Sequence, residues 1–114
     1  MSRVFFVCGN RCVDPYPVYP MGMAVVSAAL AARGHEVRQY DLLSAGSELA
    51  ALGAAARAYS PDVICYSLRN VDTEDFLNPD DWLLDADRAA IQALRAASGA
   101  PVVLGGAGFS ILPE

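Results

Sequence analysis

Arg3-Val4-Phe5-Phe6-Val7-Cys8, Asp62-Val63-Ile64-Cys65-Tyr66-Ser67 and Pro101-Val102-Val103-Leu104-Gly105 are short runs that stay apolar almost throughout. Strands buried on both faces read this way, because neither side of the pleat meets water. A fourth run, His35 to Asp41, alternates and ends in a turn residue, as a strand nearer a sheet edge does. Helical stretches separate the runs. Met21 to Arg33 is entered after Pro20 and stopped by Gly34, a residue suited to the left-handed position just past a helix end. Ser47 to Tyr59 is Ala-rich and is ended by Ser60-Pro61. Asp80 or Asp81 can cap a third helix that continues to about Ala97, with Ser98-Gly99 as its stop. The order β-α-β-α-β-α-β predicts an α/β domain: a three-layer, doubly wound parallel sheet, flavodoxin- or Rossmann-like. A flavodoxin order 2-1-3-4-5 continues with one more helix and strand. Both are missing here, which would leave Val102-Val103-Leu104 as an apolar edge. The expectation is a single domain over 1–114 that forms the N-terminal part of a longer protein.

Composition narrows the function. The chain has 114 residues, of which 54% are hydrophobic and 18% charged, so it is no disordered segment. Its net charge is −5, and all its cations apart from His35 are arginines, an improbable footprint for nucleic acid. No apolar run reaches the ~20 residues that span a bilayer, and no signal peptide opens the chain. Cytoplasmic location, with no membrane partner, is the default. The cysteines, Cys8, Cys12 and Cys65, are odd in number and make no disulfide framework. Cys8 and Cys12 begin a CxxxCxxC cluster pattern, but the third position is Pro15. The chain carries no cluster motif of its own.

In open parallel sheets, ligands sit beyond the carboxyl ends of the strands, where strand order reverses. The loops at that end are unusual. Gly9 to Pro20 holds three prolines and two tyrosines, and Leu68 to Pro79 is equally long, where 2–6 residues are common. The fourth strand runs into Gly105-Gly106-Ala107-Gly108, and absent side chains there let a ligand approach the backbone. Familiar phosphate sites fail on inventory. G-x-G-x-x-G does not follow the first strand, and a Walker loop needs a lysine that the sequence lacks. A receiver domain needs an acid where Ser67 stands. His35 lies in a turn at the opposite end, and Asp14, Asp72, Glu74, Asp75, Asp80 and Asp81 read as solvated loop and cap residues. What remains is glycine backbone, Asn10, Ser67, Arg69, Asn70 and aromatic rings. That lining suits a large, flat, amide-bearing ligand better than acid–base catalysis, and no catalytic or metal-ligating residue is assigned.

Four segments carry a family resemblance: Asn10 to Gly22, Ala32 to Val37, Ser67 to Asp72, and Gly105 to Ser110 with Leu112-Pro113-Glu114. Together they resemble the N-terminal cobalamin-binding domain of B12-dependent radical SAM enzymes. The resemblance implies a corrin ring over the carboxyl ends of the strands. It implies a nucleotide tail lined by Ser67, Leu68, Arg69, Asn70, Gly105 and Gly106, with Gly108 and Phe109 just beyond. It also implies that SAM and a [4Fe-4S] cluster belong to an absent C-terminal radical SAM domain. That domain, or another partner, would cover the edge of the fourth strand. Many B12 domains place a cobalt-binding histidine in an Asp-x-His-x-x-Gly motif after the first strand. Here the frame Asp14-Pro15-Tyr16-Pro17-Val18-Tyr19 has tyrosine at both informative positions. The implied state is base-off, His-off cobalamin with the loop after the first strand against its lower face, Asn10, Asp14, Tyr16 and Tyr19 being its cofactor-binding candidates, used for methyl transfer or related radical chemistry. Two other readings are an N-terminal half-domain of a two-Rossmann glycosyltransferase, from Met23 to Val37, and an interaction module without a ligand.

Overall fold

In the computed structural model, the described residues are 2–9, 21–42, 48–68 and 84–105. They form β1 (Arg3–Cys8), α1 (Met21–Ala32), β2 (Glu36–Asp41), α2 (Leu49–Tyr59), β3 (Val63–Ser67), α3 (Leu84–Ala97) and β4 (Val102–Gly105). All strand pairs are parallel, in the order β2-β1-β3-β4. The chain therefore winds one way from β1 to β2 and the other way from β3 to β4. The reversal lies between β1 and β3.

Three strands start one residue later than the apolar runs predict, because His35, Asp62 and Pro101 have other duties. The Asp62 carboxylate accepts the Arg3 backbone N–H at 2.8 Å. Proline cannot donate to a ladder, and Pro101 offers only its carbonyl, to Ile64 N–H at 2.9 Å. Past the end of α1, Gly34 takes φ +89°. Its N–H and that of His35 return to Ala31 and Leu30 carbonyls, at 3.0 and 3.1 Å, which is the double closure a left-handed stop allows.

The pleat sends alternate side chains to two different cores. Phe5, Val7, Ile64 and Tyr66 face α2 and α3, where Leu52, Ala56, Tyr59, Ala90 and Leu94 complete a large cluster. Phe6 and Cys8 face α1 and pack on Met23, with Val37 and Cys65 at the margin. Helices on both faces make the three layers. β1 is buried along nearly its whole length, whereas β3, which also has a neighbour on each side, is buried only at alternate positions, those facing α2 and α3. At the other extreme, Val103 of β4 is 54% exposed.

Candidate functional site

The sheet's carboxyl edge is extended by two further hydrogen bonds. Gly9 N–H donates to Ser67 C=O at 3.0 Å, and Leu68 N–H donates to Gly105 C=O at 2.8 Å. Cys8, Ser67 and Gly105 thus stand level across β1, β3 and β4. Alternation puts Ser67 and Gly105 on the same face as Cys65 and Val103, the α1 face of the sheet. Ser67 is half-buried there. A Cβ built on Gly105, the register partner of Ser67, would meet no atom of the described residues within 4 Å.

Gly9 is the opposite case. A Cβ there would lie 2.6 Å from the Tyr66 phenol oxygen and 2.8 Å from its ring carbons Cε1 and Cζ. The phenol in turn donates to the Asp87 carboxylate at 2.6 Å. On the α1 face, the buried Ser27 hydroxyl has no hydrogen-bond partner among the described residues. Burial also pushes the Cys65 thiol above its ordinary 9.0. Around Ser67 and Gly105 the described residues of this face, Cys8, Cys65 and Val103, are uncharged, and Asp41 stands level with Cys8 one strand further on.

Of the residues singled out in the sequence, Ser67, Leu68 and Gly105 come together. Leu68 differs in kind: its side chain is buried in the α2/α3 core, and it offers the edge only its backbone. Asn10, Asp14, Tyr16, Tyr19, Arg69, Asn70, Gly106, Gly108 and Phe109 lie outside the described residues. His35 sits at the amino end of the sheet, where its Nδ1 accepts the Ser2 N–H at 3.1 Å. Among the described residues, no group of three potential metal ligands converges.

Ser27, Tyr66 and Asp87 were not singled out. Tyr66 carried a usable signal, because a phenol in an otherwise apolar buried strand needs a partner for its O–H. Asp87 carried none, since an acid near the start of a helix is ordinarily solvated.

Comparison with known proteins fits this geometry. The B12 binding domain family matches residues 10–114. Tryptophan 2-C-methyltransferase of Streptomyces laurentii is 34% identical over 98 residues, which cover 85% of this chain and 16% of that protein. Two structures of the radical S-adenosylmethionine methyltransferase TsrM from Kitasatospora setae each cover 97% of this chain at a TM-score of 0.86. One, with cobalamin and a [4Fe-4S] cluster bound, is 29% identical; the other, with tryptophan substrate and the SAM analogue aza-SAM, is 31% identical. The chain spans about a fifth or less of the length of each of these relatives: 16%, 21% and 20%.

Proposed function

This chain belongs to the B12-binding domain family, and from that premise we propose that it holds cobalamin over the carboxyl ends of β1, β3 and β4 as the corrinoid module of a radical SAM methyltransferase. The observation that carries the proposal is Gly105, with no described atom where its side chain would be, paired in register with the half-buried Ser67. A nucleotide tail is a flat heterocycle with an acceptor nitrogen. It needs one donor at the right depth and a stretch of wall without side chains. Ser67 can donate, and nothing described occupies the place beside it at Gly105. The residues present therefore fit the group.

With the tail drawn into that space, the base is kept off the cobalt. The Asp14–Tyr19 frame offers no histidine to replace it. A neutral phenol at Tyr16 is a poor ligand near pH 7, because its pKa is ~10. When bound, the corrinoid would supply a transferable methyl group, while this chain's own residues bind, orient and shield it. SAM and the cluster are assigned to the remainder of the parent enzyme, in keeping with relatives of which this chain spans 16–21%.

A hydroxocobalamin titration of the full-length protein tests the reading. Saturable binding at one per chain is expected, with loss on Ser67→Tyr, whose ring would fill the space. The reduced Co(II) complex should show no nitrogen superhyperfine splitting in its electron paramagnetic resonance spectrum. A nitrogen-split spectrum would overturn the base-off, His-off state, and failure of the folded protein to bind would overturn the function.

The edge of β4 bears on domain extent. Ile91 and Arg95 of α3, with Val102 and Leu104 of β4, line a groove of about 530 Å³ on the α3 face, and Val103 is exposed on the other. Both faces of one strand thus lie open at the same place. We propose that a further strand and helix of the parent chain occupy this edge. A gene whose reading frame stops at Glu114 would refute that.

A further inference from the structure

We propose that Tyr66 and Asp87 are a positioning pair: the phenol, fixed by the carboxylate, is the stop against which Gly9 sits, and so fixes the backbone at the carboxyl end of β1. The inference rests on the cobalamin reading and adds to it a device on the sheet face opposite Ser67.

The geometry is tight at each joint. Tyr66 and Asp87 are 1% and 4% exposed. Their O–H···O separation of 2.6 Å falls in the range of hydrogen bonds strengthened by charge. Asp87 lies near the start of α3, where the helix favours a carboxylate. The phenol is thereby tied to a second element and cannot swing aside cheaply. Its ring edge and oxygen fill the volume a Cβ at position 9 would take, with three atoms inside 3 Å. Gly9 is also held in plane by its N–H bond to Ser67 C=O. Only a bare Cα passes between these two constraints. Gly9 stands on the carboxyl rim over which the cobalamin reading seats the ligand, so a shift at Gly9 alters that rim, whereas a shift deeper in β1 is absorbed by core packing.

The test uses the full-length protein and three substitutions. Tyr66→Phe keeps the ring and removes the bond to Asp87. Gly9→Ala drives a methyl into the phenol. Ile64→Val trims a fully buried side chain in the body of β3 and serves as a control for lost stability. Each is measured by urea unfolding of the apo form, by affinity for hydroxocobalamin, and by the visible spectrum of the complex. Tyr66→Phe and Gly9→Ala should each weaken binding roughly tenfold and displace the bands of the bound corrinoid, and together fall short of the product of the two losses. Ile64→Val should change affinity less than about twofold, with the spectrum unmoved. Tyr66→Phe is readable even where Gly9→Ala does not fold. Should Tyr66→Phe bind with wild-type affinity and spectrum, or lose affinity only in step with Ile64→Val, the pair is merely structural and the proposal falls. A wild-type protein that is folded but binds no hydroxocobalamin overturns the cobalamin reading, and the positioning role with it.

Discussion

Gly105→Ala should make the apo protein more stable while making it a poorer cobalamin binder. Glycine in a strand costs about 0.5–1 kcal/mol relative to alanine, chiefly through the freedom it loses on folding. That cost is retained only where a side chain would clash or the backbone is left-handed. Neither holds at Gly105: the described surroundings leave 4 Å clear, and its φ, unlike that of Gly34, lies outside the left-handed region. The substitution should therefore raise stability by about 0.5–1 kcal/mol, a Tm increase of about 2–5 °C for a domain of this size. Gly105→Val should preserve that gain, since β-branched residues suit strands. It adds two more carbons to the tail's space, and affinity should fall at least about tenfold, or about 1.4 kcal/mol. Thermal unfolding of the apo form and titration with hydroxocobalamin read the two signs separately. A valine variant that binds like wild type would show that the space at Gly105 is not the tail's. A lowered Tm for the alanine variant would show that the space is not free.

Ser27→Ala removes a buried hydroxyl that has no described partner, so apo stability should rise by about 0.5–1 kcal/mol in urea unfolding, and a fall of that size would reveal a hidden bond. His35→Ala breaks a single hydrogen bond at the amino end of the sheet, costing about 0.5–1.5 kcal/mol and leaving cobalamin affinity within twofold; loss of binding by a folded variant would invert the assignment of ends. In a Cys8→Ser, Cys12→Ser variant, burial keeps the remaining Cys65 protonated to above its ordinary 9.0, so its reaction with an aromatic disulfide should keep accelerating through pH 9. A rate plateau below pH 8.5 would contradict that.

Strand order and the reversal between β1 and β3 were legible because apolar runs and helix stops are written locally. Gly34 ends α1 for a reason visible in the sequence, and the structure uses it so. Ser67 and Gly105 could be paired in advance because strand ends in this topology must gather at one rim. Tyr66 and Asp87 could not be paired. They are 21 residues apart, and nothing local tells a buried acid on a helix from a solvated one. Leu68 misleads for a related reason: a rim position can point inward, and pleat parity, not loop composition, decides which residues do.

The two cores are unequal, and the imbalance partitions the domain's freedom. Among the described residues, eleven buried side chains make the cluster that knits β1 and β3 to α2 and α3, against three in the cluster that holds α1. Free energies of local opening follow such contacts, so the α1 layer is the less firmly packed cover of the slab. The cover carries no charged side chain in twelve residues and exposes Val25 and Val26, so its outer face gains little from solvation. A guest that slides between cover and slab would meet the softer boundary, and would supply there the apolar contact that the chain itself provides sparingly.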